Sequence, residues 1–218
     1  MKKTFKGLFA LLLIAISCKK SDSTPVEGVK YMDFTAGTSS KYQSTNNLTA
    51  AVTTYTVTST SRDTSINSKS YHVFTNSSGT PNEYYNITGN DYYTFRSLGA
   101  AFANLTVESI YLKDNAAVGA SWSQVINLPV TGVPGGTVPA TITNTIAEKG
   151  VSRTVNNIAY ADVIHVTTTI SVQGLPAGTI TTDIQSYYAR KAGLIENKNK
   201  LNAPLLTVNV DQSTVLLQ

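Results

Sequence analysis

The sequence has very little cysteine, histidine and charge, which narrows the chemistry it can support. It contains one cysteine and two histidines, and 14% of its residues are charged. A single cysteine cannot close an intramolecular disulfide, and two histidines do not make a usual zinc site unless carboxylates join them. The signatures HExxH, Gly-x-Ser-x-Gly, a calcium loop and a Gly-rich phosphate loop are also missing. The sequence therefore predicts no metal, no cofactor and no motif-borne catalytic residue.

Long apolar runs are missing as well, so a membrane-spanning helix is not expected. The longest run, Gly7–Ile16, is about half of the roughly 20 residues that a spanning helix needs. Lysines at positions 2, 3 and 6 precede it, and a polar stretch follows it directly. A basic start, a short apolar stretch and a small residue before the break are the parts of a secretory signal peptide. We predict that residues 1–17 are such a signal.

The only cysteine lies where this signal would be cut. Ala15-Ile16-Ser17-Cys18 resembles the lipobox of bacterial lipoproteins, with Ala15 where that family usually has a branched residue such as Leu. The resemblance implies acylation of Cys18, cleavage before it and stable anchoring by several acyl chains. The alternative is an ordinary signal peptide with a chance cysteine. On the first interpretation, residues 18–27 form a lipidated tether and residues 28–218 a single domain.

The tether also suggests a location. Its sequence, CKK followed by Ser and Asp, resembles the lipoproteins of Bacteroidetes, which implies the outer membrane of a Gram-negative bacterium, facing the periplasm or the surface. Removal of residues 1–17 takes away three of the 17 basic residues, leaving 14 against 13 acidic ones and a net charge of +1. The mature chain is almost neutral, so nucleic acid is not an expected partner.

Residues 28–218 are predicted to be an all-β domain. Tyrosine is the commonest aromatic residue, threonine is frequent, and Ala51–Thr58 alternates between apolar and threonine positions. Short turn sequences are Gly89-Asn90, Lys149-Gly150 and Asn156-Asn157, with Val130–Pro139 as a longer loop. Ser97–Leu105 could form a helical turn or two. The other strand-type segments, which bring the total to roughly a dozen strands, are Val29–Phe34, Ser70–Thr75, Glu83–Thr88, Asp91–Leu98, Leu105–Leu112, Trp122–Leu128, Ala140–Glu148, Val151–Val155, Ile158–Val172, Thr179–Ala189, Leu194–Asn197 and Leu205–Val210.

Two short motifs resemble known envelope proteins. Tyr187–Glu196 (YYARKAGLIE) resembles a hairpin, and Val118–Trp122 (VGASW) the start of a central strand, in lipoproteins whose fold is an open, unclosed β-barrel. The resemblance implies a single antiparallel, strongly curved sheet or open barrel. A β-sandwich is the alternative. Relatives of this kind carry lipoproteins or lipids across the envelope.

Tyrosine doublets are the remaining feature that suggests a site. Tyr84-Tyr85, Tyr92-Tyr93 and Tyr187-Tyr188 each place one ring on either face of a sheet, because successive strand residues point to opposite faces. Such rings stack sugars, line apolar cavities or simply pair across strands. The candidate ligand contacts on the concave face are Tyr85, Tyr93, Trp122 and Tyr188.

Three functions follow from these residues. The first is a non-enzymatic lipoprotein, anchored to the membrane through Cys18, whose sheet binds a hydrophobic ligand, a glycan or another envelope protein. The second is a structural or adhesive surface module without a ligand pocket. The third is a hydrolase whose site is assembled in space around His72 or His165, both of which lie inside predicted strands.

Overall fold

The computed structural model describes residues 28–79, 81–99, 102–129, 136–176, 178–204 and 208–217. The predicted signal peptide, Cys18 and the tether lie outside this part of the chain. The described residues form β-strands joined by turns. None of their helical turns is long and apolar enough to cross a membrane.

Twelve strands form one antiparallel sheet, and we number them in chain order. Their order across the sheet is β6-β5-β4-β3-β2-β1-β12-β11-β10-β9-β8-β7, so β1 pairs with β12 in the middle. All other neighbours follow one another along the chain. The strands are β1 Ser39–Asn46, β2 Ala51–Ile66, β3 Lys69–Asn76, β4 Glu83–Thr88, β5 Asp91–Ser97, β6 Thr106–Lys113, β7 Ser121–Pro129, β8 Thr137–Val155, β9 Ile158–Val172, β10 Thr181–Ala189, β11 Gly193–Ala203 and β12 Val208–Leu216.

The sheet curls into a nearly closed barrel. Its two edge strands, β6 and β7, face each other across one open seam, and the described residues form no backbone ladder there. Rings from distant strands meet on the concave side: Tyr111 of β6 lies 5.9 Å from Tyr85 of β4 and 5.4 Å from Tyr188 of β10, measured between ring centroids. The prediction of a single curved antiparallel sheet is confirmed, and the sandwich alternative is wrong.

The hairpin turns are of the kind that the sequence predicts, with one exception. Asn156 and Asn157 both have positive φ angles, 49° and 64°, as the tight turn between β8 and β9 requires. Gly89-Asn90 likewise joins β4 to β5. Lys149-Gly150, by contrast, lies inside β8, where Gly150 (φ 72°) forms part of a series of bulges. Gly150 therefore bends one long strand instead of ending it.

Residues 28–38, which we call the N-terminal segment, do not form the strand predicted for Val29–Phe34. Tyr31 is buried, and the segment is fixed by backbone bonds from Lys191 N–H to the Lys30 carbonyl (2.8 Å) and from Gly37 N–H to the Ser59 carbonyl (2.8 Å). Its apolar side chains enter the barrel instead of pairing along an edge. The strand that the prediction missed, β1, follows directly.

The N-terminal segment closes what we call the packed end of the barrel. The core there contains Tyr42, Phe74 and Ile195 in one cluster and Tyr92, Ile146 and Ile164 in another, and Met32 packs against both. A smaller cluster around Leu128, Ala140 and Val172 lies at the opposite end of the strands.

Two predicted loops need smaller corrections. Residues 130–135 of the predicted loop Val130–Pro139 lie outside the described residues, and Pro139 already belongs to β8. In the segment Ser97–Leu105, the described residues 102–104 form a short turn, with hydrogen bonds from Phe102 and Asn104 back to the Gly99 carbonyl.

Candidate functional site

A band of uncharged polar side chains runs around the inner wall of the barrel below the packed end. Residues opposite each other on neighbouring strands point to the same face of a sheet. Ser186 lies opposite the core residue Val166, and Asn144 lies opposite Thr168, so these positions face inward. Following the register from strand to strand gives the band that we call the polar belt: Ser44, Gln124, Asn144, Thr168, Ser186, Asn197, Gln212 and Thr214.

The polar belt is linked internally by hydrogen bonds between neighbouring strands. Thr168 donates to Asn144 Oδ1 at 2.6 Å, and Asn197 Nδ2 donates to Ser186 Oγ at 3.0 Å. Gln212 Nε2 donates to Ser44 Oγ at 2.6 Å. These bonds hold the side chains in fixed positions against the wall and leave further lone pairs and N–H groups for a ligand.

Exposure rises from the packed end toward the part of the polar belt nearest the seam, whereas Ser44, Ser186 and Thr214 of the belt are themselves buried. Ile146 and Ile164 are fully buried, with 0% of their surface exposed, whereas Asn144 and Thr168, two to four residues along the same strands, are half-buried. A barrel interior lined by polar groups is characteristic of a lumen that holds water or a polar ligand. The belt itself carries no charged residue. It is thus suited to a neutral partner with hydroxyl or amide groups.

The belt meets the seam at Trp122 of β7, the only tryptophan, which lies opposite Asn144 of β8. Its indole Nε1 donates to the Ile110 carbonyl of β6 at 2.8 Å, and Asn144 Nδ2 donates to the same carbonyl at 3.1 Å. Gln124 Nε2 donates to the Glu108 carbonyl at 2.8 Å. Side chains therefore bridge the seam between β6 and β7, whereas backbone ladders join all the remaining pairs of neighbouring strands.

A shallow cavity of about 300 Å³, largely open to solvent, lies at this seam. Its lining residues are Tyr93, Glu108, Ser109, Ile110 and Gln124. Lys69 forms an ion pair with Glu108, and its Nζ lies 3.5 Å from the centroid of the Tyr93 ring. Burial raises the pKa of Glu108, but the hydrogen bond from Lys69 and the charge of Lys69 oppose it, and the net pKa is lowered.

The four predicted ligand contacts occupy different places. Tyr85 and Tyr188 both pack against Tyr111 in the packed end, where burial raises the pKa of each hydroxyl. Tyr93 points away from its buried neighbour Tyr92 and lines the seam cavity from the outer face. Trp122 packs at the edge of the same core cluster as Tyr188. Only Tyr93 and Trp122 therefore adjoin the seam, and Tyr93 does not lie on the concave face.

The belt residues were not among the sequence candidates. Their signal is present as hydroxyl and amide side chains at alternate positions, for example Ser186 in β10 and Asn197 and Asn199 in β11. Alternation alone assigns such residues to the solvent face of a half-buried strand. It is the barrel's closure that turns this face inward.

His72 lies in a chain of side chains that has the order of a Ser-His-Asp triad. His72 Nε2 is 2.9 Å from Ser59 Oγ, and His72 Nδ1 is 2.7 Å from Asp63 Oδ1. Ser59 is only 1% exposed, and its hydroxyl donates to the Phe34 carbonyl at 3.1 Å, while the Phe34 ring stacks on the imidazole. A substrate cannot reach Ser59 in this arrangement. The three residues bind the N-terminal segment to β2 and β3.

His165 lies on the outer face in a stack of side chains across β8, β9 and β10. Its ring is 4.2 Å from that of Tyr187, and the Arg153 guanidinium is 3.4 Å from the same tyrosine ring. Arg153 in turn pairs with Glu196 at 2.7 Å. Nothing in this stack resembles a nucleophile with its base. In the described part of the chain, moreover, no group of three or more His, Cys, Asp or Glu residues could hold a metal ion.

Solved structures with the same architecture come from Bacteroidetes. One is a candidate lipoprotein of Parabacteroides distasonis, with 12% identity and a TM-score of 0.51, in an alignment that covers 87% of this chain and 98% of the other. The other is a candidate exported protein of Bacteroides fragilis with a YmcC-like fold, with 10% identity, a TM-score of 0.50 and the same coverage. At these identities the likeness establishes the fold. The predicted resemblance to open-barrel envelope proteins is confirmed at that level.

Sequence comparison adds no closer relationship. No protein-family model matches the chain. No curated protein matches it either.

Proposed function

We propose that this chain is a lipid-anchored envelope protein that binds a neutral, hydroxyl-rich ligand, of the glycan class, against the polar belt of its barrel. The observation that carries the proposal is the belt itself, a band of uncharged amide and hydroxyl groups on the inner wall of seven strands, half-buried at Gln124, Asn144 and Thr168. The lipobox-like Cys18 and the fold shared with candidate lipoprotein and exported proteins support a place in the envelope.

The chemistry of the wall favours a glycan over a lipid among the predicted ligands. An acyl chain gains free energy by covering apolar surface, at about 25 cal/mol per Å², and it would leave the remaining lone pairs and N–H groups of the belt without partners. Sugar hydroxyls can donate to and accept from Asn144, Thr168 and Asn197. The half-buried Trp122 beside Asn144 adds an aromatic surface of the kind on which sugar rings stack.

Binding can be followed through Trp122, because it is the only tryptophan. We expect maltohexaose or an N-acetylglucosamine oligomer to shift its fluorescence in a saturable titration. Thr168→Val removes one belt hydroxyl with little change of shape and should weaken binding about tenfold, or about 1.4 kcal/mol. Thr169→Val, on the exposed outer face of the same strand, is the matched control and should leave the affinity unchanged.

Two results would contradict the glycan proposal. A response to palmitate and to no oligosaccharide would identify a hydrophobic ligand instead. No response to any of these probes, with the folded barrel intact, would favour a structural or adhesive module.

The anchor is tested separately by Cys18→Ser. The thiol is the acylation site of the predicted lipobox, so the substitution should move the protein from the membrane fraction to the soluble fraction without changing its Trp122 emission. The intact mass of the wild-type protein should exceed that of its polypeptide by the mass of its acyl groups. A Cys18→Ser protein that stays in the membrane fraction would argue against the lipoprotein assignment.

A further inference from the structure

We propose that the seam accepts an extended segment of a partner polypeptide, which adds as a strand to the free edge of β6. The inference concerns the seam edge of the barrel, which adjoins the polar belt and shares Gln124 with it, and a different class of partner. It does not depend on glycan binding.

The first observation is the way in which β6 ends the sheet. The carbonyls of Glu108 and Ile110 point into the seam, and they belong to alternate residues, which is the spacing at which a strand offers acceptors to one neighbour. Gln124 supplies an N–H donor to the first carbonyl, and Trp122 and Asn144 supply donors to the second. These side chains thus occupy the positions of the backbone donors of a missing strand.

The second observation is that the side chains capping the edge of β6 can be replaced by another strand. An edge strand with free backbone groups recruits other chains, and proteins usually block it with proline, with charged residues or with a bulge. The middle of β6, from Val107 to Ile110, has no proline and ends before the bulge at Tyr111, and its only charge, Glu108, already pairs with Lys69. An incoming strand can supply a backbone N–H to each of the two carbonyls in place of the side-chain donors. Strand addition of this kind is a common mode of peptide recognition.

The third observation is the cavity of about 300 Å³ at the same edge. Tyr93 and Glu108 line it from the outer face, and Ser109 lies at the alternate position of β6. A strand added to β6 at this cavity would direct alternate side chains toward Tyr93 and Glu108 on the outer face and toward the face of Ser109. Because Glu108 is neutralised by Lys69, the fitting segment is uncharged in its centre, with β-branched or hydroxyl residues.

Strand direction limits the pairing to one edge. β6 and β7 run antiparallel to each other, so a strand between them is antiparallel to one and parallel to the other. Antiparallel pairing is slightly more stable, and the acceptors that are capped by side chains lie on β6. The inserted strand therefore runs antiparallel to β6 and displaces the donors of Trp122 and Gln124 of β7 and of Asn144 of β8.

The test uses the whole protein and a labelled ten-residue peptide in which threonine and valine alternate between two terminal lysines. Binding is measured by fluorescence anisotropy, and Trp122 emission should shift when its bond to Ile110 breaks. Two versions of the peptide carry N-methyl groups on alternate residues, in opposite phases. Strand addition to one edge predicts that one phase weakens binding more than tenfold and the other does not. Equal binding of both phases, or no binding of the unmethylated peptide, would overturn the proposal.

A substitution of Gln124, one of the side chains that cap the edge of β6, gives a second measurement. Gln124→Ala removes a competing donor and is expected to tighten peptide binding three- to tenfold, which a merely structural residue would not do. Ser123→Ala, on the outer face of the same strand, is the matched control and should not change the affinity. If Gln124→Ala instead weakens binding, or makes the protein dimerise in light scattering, then a peptide is not the natural occupant of the edge and the proposal fails.

Discussion

Raising the pH above about 10 is expected to unfold the protein in one cooperative step. The reason is that most of its twelve tyrosines either lie in the barrel interior or pack against other aromatic rings. Removal from water disfavours the charged tyrosinate. Burial is the largest cause of a raised pKa for nine of them: Tyr31, Tyr42, Tyr55, Tyr71, Tyr85, Tyr92, Tyr111, Tyr160 and Tyr188.

The direction of the effect follows from linkage between ionisation and folding. A group whose pKa is higher in the folded than in the unfolded state contributes stability that is complete below the unfolded value, here about 10, and is lost as the pH rises toward the folded value. Nine groups whose pKa is raised in the folded state all contribute to this loss, which makes it steep. The unfolded chain gains as each tyrosine ionises, while the folded barrel must keep them neutral.

The measurement is a parallel titration of tyrosinate absorbance and of circular dichroism. We expect a small first rise in absorbance with the β-sheet signal intact, and then a large second rise that coincides with the loss of that signal. Return to neutral pH should restore the fold, because no covalent bond has changed. Complete ionisation near pH 10 with an unchanged dichroism spectrum would show that the tyrosines are not enclosed as described.

Much of the fold could be predicted from local sequence because hairpins are local structures. The alternation in Ala51–Thr58 and the pair Asn156-Asn157 depend only on neighbouring residues, and each has the structure expected from them. Lys149-Gly150 shows the limit of such rules. A glycine with positive φ serves a turn and a bulge equally well, and only the continued pairing of β8 with β9 distinguishes them.

The N-terminal segment could not be assigned locally because its partners are distant in the chain. Tyr31, Met32 and Phe34 have the composition of a strand, but the hydrogen bonds of the segment go to Ser59, Lys191 and other residues far along the sequence. The polar belt could not be predicted from the local sequence for the same reason. Its members come from seven strands, and none of them is distinctive before the register brings them together.

The orientation of the tyrosine doublets could be predicted only in part from the sequence. Alternation correctly predicts that one ring of Tyr92-Tyr93 is buried and the other is not. Which ring points inward depends on the sense of the sheet's curvature, which no local pattern encodes. For that reason Tyr93 was expected on the concave face and lies on the outer one.

Replacing Tyr92 with alanine is expected to destabilise the barrel by about 3–5 kcal/mol, the range found when a large buried aromatic side chain is truncated. Tyr92 is 0% exposed and packs with Leu112, Ile146 and Ile164 in the core of the packed end. Its ring also contacts those of Tyr31 and Tyr111, so the cavity would open at the point where three elements meet. Urea unfolding followed by Trp122 fluorescence measures the loss.

Tyr92→Phe separates the hydroxyl from the ring. The hydroxyl accepts a hydrogen bond from Tyr31 N–H (3.1 Å) and donates one to Asp114 Oδ2 (2.7 Å). Without it a buried backbone N–H loses its partner, which costs about 1–3 kcal/mol. The loss should be local, so hydrogen exchange at Tyr31 should accelerate more than exchange in β9. Tyr93→Phe, one residue away on the outer face, is the control and should leave both stability and exchange unchanged. If the two phenylalanine variants behave alike, Tyr92 is not what attaches the N-terminal segment to the barrel.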